Sequence, residues 1–231
     1  MKKCVCYCMT RNIYNRILPS LKSLLANNKI DTVYLLTEDD DIGMWMPDNV
    51  KIINVSGQQY IKETSPNYYT NFTWMVMMRL ALPFILKEDR VLSLDLDTIV
   101  QTNIEELWDL PMDDTYVAGA TETELTKHKG YSYINCGVMM MNLEKFRDGM
   151  AERIIHLLNT RRYLYNEQDC MNEQVPEENK LILPSAFNYG FFNRDKVCVP
   201  AILHYAAFGR HFMEQGNVKE WNDKDWSEVL K

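Results

Sequence analysis

No run of apolar residues approaches the roughly 18 that a membrane-spanning helix requires, so the 231-residue chain offers no transmembrane segment. Met1-Lys2-Lys3 is basic, but only Cys4 to Met9 follow before Arg11, too short a core for a signal peptide. Glycine and proline are sparse, at 9 and 8 residues, and no Gly/Pro/Ser tract, internal repeat or low-complexity stretch marks a domain boundary. Basic residues are outnumbered: 25 Lys and Arg against 32 Asp and Glu leave a formal charge of -7 and no basic stripe. That balance excludes a general nucleic-acid or anionic-membrane surface. Of six cysteines, Cys4, Cys6 and Cys8 alternate along one predicted strand and share a face. That is a pattern of buried thiols, with a thiolate metal site as the alternative. The chain reads as cytoplasmic. What is present is an ordinary globular composition, 46% hydrophobic and 11% aromatic, long enough for one large core.

Apolar strands alternate with amphipathic helices over the first hundred residues. Strands are expected at 4–9, 32–36 and 51–55, with helices from Ile17 to about Asn27 and from Trp74 to Leu86. This is a βαβ rhythm, which predicts an α/β fold with a mostly parallel sheet and a ligand at the carboxyl ends of its strands. Shorter strands follow near 115–120 and 132–141, then helices near 143–148 and 150–164.

At the end of the apolar run Val91 to Val100 stand Asp95 and Asp97. Residues two apart on an extended chain face the same side, so both carboxylates can meet one Mg²⁺ or Mn²⁺ and leave room for a phosphate. The same pattern also marks solvated turns, so the pair needs partners. Three further features are candidates. Asn135 and Gly137 interrupt the apolar run to Asn142, where glycine marks either a bulge or the close approach of a ligand. Glu167-Gln168-Asp169 opens a predicted helix with Asn166 as its N-cap, a setting in which acids commonly complement the helix dipole. His204 ends a late strand; joined to the two aspartates it would complete an O,O,N set suited to Mn²⁺.

In this order, the acid pair, the Asn-x-Gly-Val strand, the acidic-Gln-Asp helix start and the strand-end histidine resemble glycosyltransferase family 8, which includes glycogenin and bacterial lipooligosaccharide galactosyltransferases. Met78-Arg79-Leu80 with Pro83, and Leu183-Pro184 with Phe187-Asn188, match the family's flanking segments, and the resemblance covers roughly residues 1–212. It implies a single-domain Rossmann-like, type A (GT-A) transferase fold over residues 1–231, with a nucleotide-binding half to about residue 100 and a sugar and acceptor half beyond. It further implies a retaining hexosyltransferase that uses Mn²⁺ or Mg²⁺, a UDP-sugar donor such as UDP-glucose or UDP-galactose, and a glycan or glycoconjugate acceptor. Asp95, Asp97 and His204 would then bind the metal, and Arg79, Asn135, Gly137 and Glu167 the donor sugar. Gln168 would lie beneath the anomeric carbon, and Asp169 would close the pocket.

Several positions depart from the family pattern. Where a Gly and a Lys-Pro-Trp usually follow the metal histidine, this chain has Ala207 and Arg210-His211-Phe212; Arg210 retains the ability to bind phosphate. Thr10, Asn12 and Tyr14 stand in place of the common Asp-x-Asn-Tyr nucleotide motif, and Glu167 is one methylene longer than the usual Asp. Segments 58–71 and 122–131, with Tyr60, Tyr68, Tyr69 and Tyr131, are expected to cover the acceptor. The acidic end around Trp221 and Trp226 predicts weak or no direct membrane attachment, with the two tryptophans packed on the core or, as the alternative, docking a partner. Two other readings stay open. One is a non-catalytic sugar-nucleotide binder. The other is a haloacid-dehalogenase-like phosphatase, for which Asp95-Leu96-Asp97-Thr98 fits the Asp-x-Asp-x-Thr signature but no later acidic pair is found.

Overall fold

The computed structural model describes residues 1–193, 199–206 and 214–231. Strand β1 (Cys4–Cys8), helix α1 (Ile17–Asn27), β2 (Thr32–Thr37) and β3 (Val50–Asn54) form the expected opening. The stretch predicted as one helix from Trp74 to Leu86 is a 3₁₀ helix over Trp74–Ala81 followed by a short α2 (Leu82–Ile85). Pro83, which has no N–H to donate, sits in the first turn of α2 and restarts the helix there. Strand β4 (Arg90–Leu94) follows, then a turn at Asp95 to Asp97 and a separate β5 (Thr98–Val100).

Further along come β6 (Val117–Thr121), α3 (Thr123–Lys129), β7 (Ile134–Asn142), α4 (Leu143–Phe146), α5 (Met150–Thr160) and α6 (Asn166–Gln174). Strands β8 (Lys180–Ile182) and β9 (Ile202–His204) and helices α7 (Gly216–Asp223) and α8 (Trp226–Val229) complete the chain. Segment 122–131, expected as a loop, is thus largely helix α3, closed by Gly130 at φ +78, where the left-handed conformation favours glycine.

Seven strands form one sheet in the order β3-β2-β1-β4-β7-β6-β8. All pairs are parallel except those on either side of β7. Alternation along β1 sends Cys4 and Cys6 into one core layer, with Cys8 packed against it, and Val5 and Tyr7 into the other. The cysteines therefore share a face, as their spacing predicts, and the five in described segments are free. In β7 the alternation changes phase: Ile134 and Cys136 share a layer with Met139 and Met141, while Val138 and Met140 face the other. The register shows why. Val117 faces Met141 and Gly119 faces Met139, so Thr121 should face Gly137, yet it faces Ile134, leaving three extra residues in a bulge.

Strands β5 and β9 pair antiparallel as a ribbon beside the sheet, with Thr98 opposite His204. Helix α1 covers this ribbon: Val100 N–H donates to Ser23 Oγ at 3.0 Å, and the Ser20 and Thr98 hydroxyls bond at 2.8 Å. Trp226 packs against the core layer under α1, and Trp221 packs near Ile99 and Val218, as expected of these tryptophans. No helix among the described residues is long and apolar enough to cross a membrane.

Glu88 ties the amino-terminal edges of these strands together, accepting from Lys2 Nζ at 2.9 Å and from the Tyr34 hydroxyl. Burial opposes its ionisation, but the Tyr34 and Lys2 bonds outweigh that and lower its pKa from 4.5 to about 2. A depressed carboxylate stabilises the fold above its unfolded pKa and loses that contribution as pH falls. Glu88→Gln should therefore lower the unfolding free energy near neutral pH by about 1–2 kcal/mol. Denaturant titrations across pH should show the gap to the native protein closing between pH 4.5 and about 2. A gap independent of pH would contradict this role.

Candidate active site

The two aspartates do not lie on a strand. Strand β4 stops at Leu94, and Asp95-Leu96-Asp97 is a turn, held where Thr98 Oγ1 donates to the Asp95 carbonyl at 2.8 Å and Tyr205 N–H to the Asp97 carbonyl at 2.9 Å. The turn places both carboxylates on one side, the result expected from strand periodicity but by a different backbone. The β5–β9 ribbon then delivers His204 from far along the chain. Its Nε2 lies 3.6 Å from Asp95 Oδ2 and 3.3 Å from Asp97 Oδ1. One ligand atom from each of the three lies within 4.8 Å of the others.

The β7 bulge closes the site from the other side. The Gly137 carbonyl accepts Asp95 N–H at 2.7 Å, locking the bulge to the acid turn. His204 packs closely against Gly137: a Cβ there would stand 2.1 Å from His204 Cε1. Glycine at this position is therefore required by contact with the imidazole.

Arg79, 3% exposed, ion-pairs with Asp95, donates to the Cys136 carbonyl, and has its Nε 3.7 Å from Glu167 Oε1. Burial opposes ionisation of Asp95, but Arg79 and then His204 hold its pKa below the usual carboxylate value. Glu167 is more distant from the guanidinium, so burial dominates and raises its pKa to about 7 despite Arg79. Burial also works against a charged His204, and Asp97 and Asp95 overcome it to raise the imidazole pKa.

Helix α6 begins with Asn166 at φ +36, a left-handed conformation unusual for a residue other than glycine. Asn166 does not act as the N-cap; its amide donates to the Asn67 carbonyl and Thr70 Oγ1, and Tyr165 holds the cap position. Gln168 Oε1 accepts Cys136 N–H at 2.9 Å, and its Nε2 donates to Glu122 Oε1 at 2.8 Å. The Asp169 carboxylate is fully engaged. Oδ2 accepts the Leu164 and Tyr165 amides at 3.1 and 2.9 Å, and Oδ1 accepts the Tyr133 hydroxyl at 2.8 Å.

These groups line a cleft of about 520 Å³ that includes Arg79, Asp95, Asp97, Asn135, Gly137, Glu167, Gln168 and His204. Four separate sequence motifs thus meet in one cavity. Asp169 lies beside it without lining it. Phe72, Tyr165 and Phe191 add a partly exposed aromatic rim. Thr10 and Asn12 line a second hollow of about 410 Å³, which shares Phe72 with the first. Tyr14 is in neither: its ring is buried, and its hydroxyl links Glu38 N–H to Asp39. Arg210 lies outside the described residues. Of the loop tyrosines, Tyr60 stacks on Phe84 and Tyr68 on Trp74, while Tyr69 and Tyr68 line the second hollow.

Two site residues were not singled out from the sequence. Glu122 stands immediately after β6, as Asp95 stands after β4, and accepts from both Asn135 and Gln168. Asn188 contacts His204; its signal was the Phe187-Asn188 flank, read as resemblance alone.

The sequence profile of the family described as glycosyl transferase family 8 matches residues 4–225. Glycosyltransferase GlyD of Streptococcus pneumoniae serotype 4 is 23% identical over 269 residues, an alignment covering 100% of this chain and 32% of GlyD. A putative glycosyltransferase of Haemophilus influenzae is 26% identical over 127 residues, covering 49% of this chain and 38% of the relative. The chain spans about a third of the length of these curated relatives. Among solved structures, the galactosyltransferase LgtC, determined with donor and acceptor sugar analogs, superposes with a TM-score of 0.74 at 18% identity over 95% of both chains. GlyE of S. pneumoniae TIGR4 superposes with a TM-score of 0.75 at 21% identity, over 100% of this chain and 62% of GlyE. The shared fold is the type A glycosyltransferase fold, and with the family profile matched from strand β1 through helix α7, this chain belongs to glycosyl transferase family 8.

Proposed function

We propose that the chain is a metal-dependent, retaining hexosyltransferase that moves a sugar from a UDP-sugar, UDP-glucose or UDP-galactose, to a hydroxyl of a glycan or other acceptor. The observation that carries this reading is the convergence of Asp95, Asp97 and His204 at a cleft also lined by Arg79, Asn135, Glu167 and Gln168. Family membership supports it. The proposal includes a single transferase domain over residues 1–231, its nucleotide half ending near residue 100, working in the cytoplasm. The free described cysteines are in keeping with a reducing compartment.

Two carboxylates and an imidazole fit a divalent cation, since the repulsion between the carboxylates is relieved by positive charge and the oxygen and nitrogen donors suit Mn²⁺, with Mg²⁺ as the alternative. Held by Asp95, Asp97 and His204, such an ion would offset the negative charge left on departing UDP. The protein's own groups do the rest. Thr10 and Asn12 line the hollow proposed for the nucleoside, next to Phe72, and the Tyr14 hydroxyl holds the backbone of Glu38, which also lines it. Arg210 is proposed as a phosphate contact. Asn135 Nδ2 donates to Glu122 Oε1, and its second amide hydrogen is proposed to meet a sugar hydroxyl. Glu167, with a pKa of about 7, can donate or accept one. Arg79, which lines the donor-sugar cleft, is bonded to Asp95 and the Cys136 carbonyl and faces Glu167, and so holds one carboxylate proposed for the metal and one proposed for the sugar in place. Gly137 allows close approach to the backbone.

Retention requires either an enzyme nucleophile or attack from the face that UDP leaves. Asp169 is engaged by three donors, and Gln168 is a neutral amide bonded at both ends. Neither is poised to form a covalent bond, which supports same-face transfer. The acceptor oxygen bonds to the anomeric carbon as its bond to phosphate breaks, and a departing phosphate oxygen takes the acceptor's proton. Proton NMR of the first product formed should show the anomeric configuration of the donor. An inverted product would overturn this reading.

Calorimetric titration with UDP, UDP-glucose and UDP-galactose, with and without Mn²⁺, tests the whole proposal. Binding should require the metal, disappear in Asp97→Asn, and weaken about 10–100-fold in Gly137→Ala, whose methyl group displaces His204. No binding of any UDP species would sink the transferase reading. Metal-dependent binding without UDP release in the presence of sugar acceptors would favour a binder.

A further inference from the structure

A line of four side chains runs from the cleft wall to the proposed metal ligands: Glu122, Asn135, Asn188 and His204. Each link has one possible polarity. The Gly137 backbone N–H, always a donor, points at Asn135 Oδ1 at 2.9 Å. That fixes the Asn135 amide, and Asn135 Nδ2 accordingly donates to Glu122 Oε1 at 2.7 Å. Asn188 must then offer its own nitrogen to Asn135 Oδ1, which it does at 2.9 Å. Its remaining atom, Oδ1, is left to face His204 Nδ1 at 2.8 Å, and an oxygen there can only accept. Asn188 is fully buried, and Asn193 Nδ2 donates to its carbonyl at 2.8 Å, so the side chain sits in a braced turn.

We propose that Asn188 is a positioning residue that holds the proton of neutral His204 on Nδ1 and leaves the Nε2 lone pair facing Asp95 and Asp97. A free neutral imidazole carries its proton mainly on Nε2, which would point an N–H at the cation. The line from Glu122 and Gly137 reverses that preference without moving the ring. It also joins the groups proposed to hold the sugar to those proposed to hold the ion, because the Asn135 amide serves both. The metal part of this proposal rests on the metal reading above; the tautomer rests on the amide line, acting against Asp95 and Asp97, which stand 3.6 and 3.3 Å from Nε2 and draw a proton there.

Nitrogen NMR of protein carrying ¹⁵N-histidine tests it directly. The chain has four histidines, and His204→Asn identifies the resonances in question. At alkaline pH, where the ring is neutral, native His204 should show a protonated Nδ1 and a lone-pair-bearing Nε2. In Asn188→Leu the proton should return mainly to Nε2, and Mn²⁺ affinity, read from the free-ion electron paramagnetic resonance signal, should fall about 10–100-fold. Asn188→Asp, which keeps an acceptor oxygen, should retain the proton on Nδ1. A native ring protonated mainly on Nε2 would overturn the proposal, and that measurement needs no variant to fold. An unchanged tautomer in folded Asn188→Leu would do the same. Absence of UDP-sugar binding would instead count against the transferase reading and leave the tautomer result intact.

Discussion

The buried guanidinium of Arg79 is the interaction on which the site depends. It reaches the acid turn through Asp95, the β7 bulge through the Cys136 carbonyl, and the start of α6 through Glu167. A cation removed from water is costly unless its partners are all in place. The 3₁₀ helix that carries Arg79, the end of β4, the bulge and the first turn of α6 therefore favour one another's native positions. Three of the four chemical motifs in the sequence meet at this one side chain. Only His204 arrives independently, carried on the β5–β9 ribbon.

The site is built from interruptions of regular structure. Strand β4 ends and turns at Asp95, β7 changes phase at Gly137, and α6 begins on a left-handed asparagine. Each interruption turns a polar group away from the two core layers and toward the cleft. Backbone departures of this kind are sustained where surrounding structure over-determines them, and here the Arg79 contacts and the buried amide line supply that support.

Strands β1 and β2 and helix α1 were legible because burial leaves near-continuous apolar runs in the strands and an apolar face on the helix, and the face shared by the cysteines because side chains two apart on a strand point the same way. The acid pair and His204 were legible because each follows or ends an apolar run, and the Gln168 region because Glu167-Gln168-Asp169 opens a helix in the order that the family resemblance requires. The turn at Asp95 was not, since its hydrogen bonds come from Thr98 and Tyr205, the latter far along the chain. The 3₁₀ form of residues 74–81 was hidden because burial on almost every side mimics an apolar helix. Helix α3 was masked by its polar composition, with no residue buried. Glu122 and Asn188 gain their roles only through partners distant in sequence, so no local pattern announces them.

The central claim is that Asp95, Asp97 and His204 hold a divalent ion that meets the donor's diphosphate. Anomalous diffraction at the manganese edge, from crystals grown with Mn²⁺ and UDP, tests this most directly. The account predicts a single strong peak bounded by the three side chains and touched by phosphate oxygens. A peak elsewhere, or UDP bound in the cleft with no metal beside Asp95 and Asp97, would contradict it.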